Sequence, residues 1–458
     1  MKKKLVSIVM AAIVTFGLTA CGSAPGTVDD KGTADAGTVQ DEQKSGETDS
    51  KGNGEEPVTL TLLDQFVEGE GLSDAFRARL AAFEEKYPYI TIEEETLSTS
   101  DLATKVQTLA AADELPDIFH LKGQMATSFV ENGYVMELSY ILEENSEWAG
   151  GFREGTFSNF EIVGGTYGIP FQITNTFMFY NTDLFKEAGI ETFPKTWEEL
   201  KEDCQTLKAA GITPITLGNS GLWQAESIIM STLGNRCTGT DWYEGIRNNS
   251  GSAFTDSDFV LALQSLYDLA EAGAFNSDVN SIDGDAQRTA YMNGQAAMMF
   301  DGSWAIAALD ANMSDEMKAV TELAPMPAVV GGKGDAEVIT GGAGWAYAVN
   351  AKLDESKKDA VTKFLMEVVN TEFANDCEST GAVSAYTSDS VTLDEGSIMA
   401  QKYMDIIKDR SFIPVYDHQL SSGLMDVMQS GLQEILNNTK SAETLAQEIQ
   451  DEYELENK

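Results

Sequence analysis

Apolar and polar positions after residue 57 follow two alternating periods. Residues 58–63 form a β-type run of Val, Thr and Leu, and residues 90–92 and 117–120 form two further short runs. Between the first two runs, Phe76, Leu80 and Phe83 recur at i, i+4 and i+7, which is typical of one buried helix face. This βαβαβ order predicts an α/β protein whose parallel sheet is covered by helices.

Ligands of such sheets lie at the carboxyl ends of the strands. That rule selects the residues that follow the first run and the loop 120–124. The candidates there are Gln65, Phe66, Lys122 and Gln124. His120 and His418 are the two histidines of the chain, and we interpret each as a hydrogen-bonded structural or surface residue.

The segment 164–211 carries the clearest local signals. Its apolar run 177–180 predicts a strand, and Thr196 with Glu199 forms a capping box at the start of a helix. That helix should bury Leu200, Cys204 and Leu207 and end before Gly211.

Three tryptophans follow apolar runs or glycine-rich turns further along the chain. Trp223 follows the loop Gly218-Asn219-Ser220-Gly221-Leu222, and Trp304 ends the turn Asp301-Gly302-Ser303-Trp304 after an Ala-Met strand. Trp345 follows the run Thr340-Gly341-Gly342-Ala343-Gly344 and opens another strand.

These patterns, in this order, resemble those of family 1 extracellular solute-binding proteins, the sugar-binding receptors of ABC importers that include maltose-binding protein. The resemblance covers roughly residues 57–458. It implies a two-lobed periplasmic-binding-protein-like fold, with discontinuous lobes joined by a hinge and a ligand cleft between them. It also implies that Trp304 stacks on a sugar, whereas Thr174 stands where sugar-binding members often carry an acidic residue.

The resemblance sets the expected lobes. Residues 57–171 with 335–381 should form the N-terminal lobe, and residues 172–334 with 382–458 the C-terminal lobe. The chain is expected to cross between them near residues 170–175, 331–342 and 379–383.

The N-terminus has the features of an export signal. Three lysines precede the apolar run 5–18, and Leu18-Thr19-Ala20-Cys21 resembles the bacterial lipobox. We predict a signal peptide over residues 1–20, lipidation of Cys21, and a disordered acidic tether over residues 21–56. The protein should therefore be held by a lipid anchor at the outer face of the cytoplasmic membrane.

Charge and motifs exclude several function classes. A formal net charge of −44 argues against a nucleic-acid partner. The sequence contains no His-Glu-x-x-His, Gly-x-Ser-x-Gly or Walker motif, so we expect no enzyme, cofactor or metal. The acidic run 278–285 is interpreted as a helix-capping loop rather than a calcium loop.

What remains is recognition of a neutral, polyhydroxylated ligand. Indole faces stack on the apolar faces of sugars, and amide, hydroxyl and carboxylate groups bond their hydroxyls. The predicted ligand-binding set is Gln65, Phe66, Lys122, Gln124, Gln172, Thr174, Trp223, Asp301, Trp304 and Trp345. The alternative for Trp223 and Trp304 is packing between the lobes.

We predict a monomeric receptor that binds a mono- or oligosaccharide and delivers it to the transmembrane subunits of an ABC permease. A receptor of the same fold for a polyamine or a peptide is one alternative, and a surface glycoside hydrolase is another. Cys204 is expected to be a small core residue, and a bridge among Cys204, Cys237 and Cys377 is left open.

Overall fold

The computed structural model describes residues 56–67, 72–390, 392–393, 396–408 and 410–458. The predicted signal peptide, Cys21 and nearly all of the predicted tether lie outside these residues.

The strands are β1 (Val58–Asp64), β2 (Ile90–Thr96), β3 (Ile118–Lys122), β4 (Glu161–Ile162), β5 (Gly165–Thr166), β6 (Ile169–Pro170), β7 (Gln172–Asn181), β8 (Thr213–Thr216), β9 (Ala296–Gly302), β10 (Thr321–Ala324), β11 (Ile339–Gly342), β12 (Trp345–Val349), β13 (Val383–Ser384) and β14 (Phe412–Ile413).

The α-helices are α1 (Ser73–Lys86), α2 (Thr99–Ala112), α3 (Gly123–Glu131), α4 (Ser139–Glu144), α5 (Ser146–Ala149), α6 (Thr182–Glu187), α7 (Trp197–Ala209), α8 (Ser231–Thr238), α9 (Thr240–Arg247), α10 (Ser257–Glu271), α11 (Gly284–Met292), α12 (Ile306–Asn312), α13 (Asp315–Val320), α14 (Lys358–Val368), α15 (Thr371–Ser379), α16 (Ile398–Ile407), α17 (Tyr416–Gln419), α18 (Ser422–Leu436) and α19 (Ala442–Glu456). A π-helix spans Gln224–Met230, and 3-10 turns span Ser303–Ala305 and Glu355–Lys357.

The first lobe is built on a five-stranded sheet in the order β2-β1-β3-β12-β6. β1 runs parallel to β2 and β3, as the βαβαβ pattern predicted, whereas β12 runs antiparallel to β3 and β6. Phe76 and Phe83 of α1 are completely buried. Phe83 meets Phe364 of α14 edge to face, with ring centroids 5.5 Å apart, so both helices cover the same core.

The second lobe is built on a seven-stranded sheet with β7 as its central strand. Along its length β7 pairs antiparallel with β13, β11, β9 and β10. The core on one side includes α7, α8, α10, α18 and α19. The core on the other side includes α12 and α16. There the ring centroids of Phe177 on β7 and Tyr403 on α16 lie 5.5 Å apart.

The chain crosses between the sheets at short connections. β6 belongs to the first sheet and β7, two residues later, to the second. The return crossing differs from the predicted division at residue 335: residues 339–342 form β11, which pairs with β7 in the second sheet. The chain therefore returns between Gly342 and Trp345, because Gly342 still bonds to β7 while Trp345 already bonds to β3.

The local signals of the segment 164–211 are confirmed. The Thr196 hydroxyl accepts from the Glu199 amide at 3.2 Å, and the Glu199 carboxylate accepts from the Thr196 amide at 3.3 Å, which completes the capping box. Leu200, Cys204 and Leu207 are all buried in the second lobe.

Arg236 of α8 fixes the connection between β10 and β11. Arg236 is 1 % exposed, and its guanidinium donates to the carbonyl oxygens of Met326, Asp335, Ala336 and Val338. Burial lowers the pKa of this guanidinium to about 10. One buried cation thus holds the segment that leads into the return crossing.

Candidate functional site

The two tryptophans predicted to stack on a sugar lie side by side in the second lobe. Trp223 precedes the π-helix and Trp304 lies in the 3-10 turn after β9. Their ring centroids are 5.7 Å apart with an interplanar angle of 67°, and both side chains are only partly buried. The indole Nε1 of Trp304 is shielded from solvent and has no hydrogen-bond partner among the described residues.

Gly302 makes room for the Trp304 indole. A Cβ at position 302 would lie 2.3 Å from the ring of Trp304, so only glycine fits there. The glycine of the Asp301-Gly302-Ser303-Trp304 turn is therefore required sterically, because the missing Cβ lets the Trp304 indole fold back over the end of β9.

The π-helix Gln224–Met230 begins directly after Trp223 and contributes Glu226 and Ser227 to a polar cluster. π-helices are rare and are frequent at functional sites. Trp223 and Ser227 are four residues apart and so face roughly the same direction. The Ser227 hydroxyl lies 2.6 Å from the Asp417 carboxylate.

Lys122 joins this cluster from the first lobe. It ends β3 and forms an ion pair with Asp417 of α17, a residue 3 % exposed in the second lobe. Burial would raise the pKa of Asp417, but the Lys122 ammonium holds it below its usual value. Of the predicted site residues, Lys122 has the most direct contact with the opposite lobe.

Glu226 of the π-helix completes the cluster. It is completely buried, and its carboxyl group lies within hydrogen-bond distance of Ser227, Ser231 and Gln429. Burial first, and then the nearby Asp417 carboxylate, raise its pKa to about 8, while Lys122 opposes the rise.

Asp301 is engaged within the second lobe. It is 1 % exposed, and its carboxylate accepts from Arg288 Nε at 2.9 Å, from Gln287 Nε2 at 3.3 Å and from the Gly302 amide at 2.9 Å. The carboxylate thus stabilises the turn that carries Trp304.

Phe66 and Trp345 are placed in the first-lobe core. Phe66 is 3 % exposed and lies 4.6 Å from Phe76 and 5.3 Å from Phe171, measured between ring centroids. Trp345 is 7 % exposed and is the cross-strand neighbour of Lys122. Both are core side chains, although Trp345 stands beside the interlobe ion pair.

The remaining predicted residues divide between the strand ends and the hinge. Gln124 opens α3, and its Oε1 is shielded from solvent with no partner in the described part of the chain. Gln65 is partly buried and its Oε1 lies 3.5 Å from the Thr99 hydroxyl. Gln172 and Thr174 lie on β7, opposite Ser384 and Gly342 respectively, and so belong to the crossings.

Sequence reasoning missed α17 altogether. His418 is 7 % exposed, and burial lowers its pKa to about 4. A Cβ at Gly344 would lie 2.2 Å from His418 Nε2, so the glycine-rich run before Trp345 makes room for this imidazole. That glycine-rich run was the one sequence feature that indicated a bulky side chain packed against residue 344.

No group of three or more His, Cys, Asp or Glu residues placed to hold a metal occurs among residues 56–67, 72–390, 392–393, 396–408 and 410–458. Cys204, Cys237 and Cys377 are buried and unbridged. None of the helices described is both long enough and apolar enough to cross a membrane.

Known proteins resemble this chain in both structure and sequence. A chitin oligosaccharide binding protein superposes with a TM-score of 0.79 at 25% identity, over 87% of this chain and 98% of that one. A structure from work on xylan utilization by Caldanaerobius polysaccharolyticus superposes with a TM-score of 0.76 at 26% identity, over 86% of this chain and 99% of that one.

A curated relative, the diacetylchitobiose binding protein of Streptomyces coelicolor, is 24% identical over 209 residues, which are 45% of this chain and 43% of that protein. The chain spans about half the length of the curated relatives it matches. The sequence profile of bacterial extracellular solute-binding proteins matches residues 69–372, more than half of the chain. The protein is therefore a member of the bacterial extracellular solute-binding protein family.

Proposed function

We propose that this protein is the substrate-binding lipoprotein of an ABC importer. It captures a mono- or oligosaccharide between its two lobes and delivers it to the membrane permease, and it is not an enzyme. The observation that carries the proposal is the Trp223–Trp304 pair in the second lobe. Partly buried indoles offer faces for the C–H surfaces of a sugar ring.

The acidic groups near this pair support a neutral ligand over a polyamine. Asp301 is paired with Arg288, and Asp417 is paired with Lys122. Their charges are therefore compensated within the protein, whereas a polyamine site needs carboxylates that are available to the ligand. Two similar proteins are named for carbohydrates, chitin oligosaccharide and diacetylchitobiose, which supports a carbohydrate ligand, whereas another relative is named for sn-glycerol-3-phosphate.

The proposal is tested by calorimetry with single compounds: N,N′-diacetylchitobiose, xylobiose, maltose and, as the contrasting ligand, spermidine. We expect one neutral saccharide to bind and to raise the melting temperature. At a hundredfold excess over Kd the stabilisation is about 2.7 kcal/mol. If spermidine bound and none of the saccharides did, the protein would be a polyamine receptor instead.

The proposed location and oligomeric state follow the same function. The protein is held at the outer face of the cytoplasmic membrane through a lipid on Cys21, and it works as a monomer. Light scattering coupled to size exclusion tests the second statement on the full 458-residue chain of 49.6 kDa, since a mass near twice that value would contradict it.

A further inference from the structure

α17 is a single turn of helix whose consecutive residues contact both lobes. Tyr416 anchors it in the second lobe, where its ring stacks on Tyr243 with centroids 5.1 Å apart. The next residue, Asp417, pairs with Lys122 of the first lobe. His418 and Gln419 also meet first-lobe residues, so three successive side chains bridge the lobes.

The contacts of His418 and Gln419 are closely fitted. A Cβ at Gly123 of α3 would lie 2.6 Å from the His418 carbonyl oxygen, and one at Gly344 would lie 2.2 Å from the His418 ring. Gln419 Nε2 donates to Asn159 Oδ1 at 2.7 Å. Asn159 in turn donates to the carbonyl of Ala343, at the return crossing, at 2.8 Å.

Among the described residues, Lys122 supplies the one lysine or arginine side chain that pairs with Asp417. Asp417 and Glu226 lie on either side of the Ser227 hydroxyl, at 2.6 Å and 3.2 Å. Two buried carboxyl groups so close together repel one another when both are ionised. The Lys122 ammonium compensates that repulsion only while the first lobe stands against α17.

We propose that α17 is an interlobe latch, in which Lys122 of the first lobe docks on the carboxyl pair Asp417 and Glu226 of the second lobe and stabilises the closed arrangement before any ligand arrives. Opening the cleft would separate the ammonium from the pair and leave the carboxyl groups uncompensated. The latch acts on binding through the position of the lobes. Its test on the ligand-free protein therefore does not depend on which compound the cleft takes.

The latch has a pH signature that packing alone lacks. The ionisable groups around the pair are Lys122 on β3, His418 on α17, Tyr243 on α9 and Tyr416 on α17. Of these, Lys122 comes from the first lobe. Its approach favours the ionised form of both carboxyl groups, so closing releases protons and rising pH favours the closed arrangement.

The test uses X-ray scattering of the ligand-free protein. Lys122→Met should increase the radius of gyration relative to the wild type. Lys352→Met is the matched control, because it removes the same cation from an exposed pair with Asp113 that lies away from α17, and it should leave the radius unchanged. The wild-type radius should also fall as the pH rises from 7 to 9, and this fall should be absent in Lys122→Met.

A second variant guards against a loss of folding. Gly344→Ala keeps every charge and displaces His418, so it should also expand the protein, whereas Gly150→Ala, whose Cβ would have ordinary contacts at 3.4 Å, should not. Circular dichroism establishes that each variant is folded. If folded Lys122→Met and Gly344→Ala both keep the wild-type radius at every pH, the latch does not exist, whatever the protein binds.

Discussion

Trp223 and Trp304 meet edge to face in the second lobe, with ring centroids 5.7 Å apart and planes inclined at 67°. They come from chain segments about eighty residues apart, one before a π-helix and one after a β-strand. The steep angle gives the pair two differently oriented indole faces. A bent oligosaccharide could therefore contact both rings at once.

Removing one ring should weaken sugar binding. Trp304→Ala is expected to lower the affinity for the cognate saccharide by about 1–3 kcal/mol, the scale of one well-packed aromatic contact, and Trp223→Ala should act in the same direction. Calorimetry gives the affinity, with circular dichroism as the check on folding.

Trp242→Ala is the control for that experiment. Trp242 stacks on Phe259 at 5.0 Å and its indole N–H bonds to Asp256 at 2.9 Å, so it is part of the second-lobe core. Its loss should lower the melting temperature and leave the affinity unchanged. If Trp304→Ala also lowered the melting temperature and left the affinity unchanged, Trp223 and Trp304 would be interpreted as packing residues.

Stability should fall between pH 6.5 and 8. Burial and a neighbouring carboxylate raise the pKa of Asp64 and of Glu226 to about 8, against roughly 4 in the unfolded chain. The native protein therefore holds protons that the unfolded chain has lost, and the stability these groups contribute disappears as the pH rises to 8. His418 acts oppositely, because burial lowers its pKa to about 4, but its contribution is complete above about 6.5.

Urea unfolding at pH 6.5 and pH 8 measures this slope. One proton corresponds to at most about 1.4 kcal/mol per pH unit. Glu226→Gln should reduce the slope, whereas Glu187→Gln, at an exposed position of α6, should keep it. A wild-type stability that rises over this interval would contradict the assignment.

Lysine should not replace Arg236 without a loss of stability. Arg236→Lys replaces a fork that bonds four carbonyl groups by a single ammonium with three donors. The free energy of unfolding should fall by at least about 1.5–3 kcal/mol, the contribution of one hydrogen bond to a charged group. Arg247→Lys, in an i, i+3 pair with Glu244 on the surface of α9, should change it by less than about 0.5 kcal/mol.

The anchor is tested in cells. Cys21→Ser should abolish incorporation of radiolabelled lipid and release the protein from the membrane fraction, because we propose that the Cys21 thiol accepts the lipid. Cys204→Ser, at a buried thiol of α7, should be labelled like the wild type. Equal labelling of Cys21→Ser would place the anchor elsewhere.

The sequence predicted the elements that local physics determines. The capping box at Thr196, the buried stripe of α7 and the parallel order of β1, β2 and β3 follow from residue spacing alone. The two-lobed fold followed from the resemblance. Trp223 and Trp304 were selected separately as sugar-stacking candidates, and the structure brings their rings together.

Features that depend on distant partners could not be predicted. Asp301 was selected because a carboxylate at a loop position can bond sugar hydroxyls, and the structure shows that this carboxylate accepts from Arg288. Phe66 was selected by the strand-end rule, yet its ring packs between Phe76 and Phe171. The ion pair of Lys122 with Asp417 spans 295 positions along the chain. Hydrophobic periodicity is a local pattern, so it cannot predict a contact at that separation.

The π-helix between Trp223 and Ser231 makes the cleft sensitive to insertions and deletions. Its i to i+5 bonds accommodate one more residue than an α-helical path would. Losing a single codon within residues 224–230 would let the segment relax to ordinary α-helix and shorten the path between Trp223 and α8 by one residue. The position of the Trp223 indole therefore depends on the length of this segment as well as on its residues.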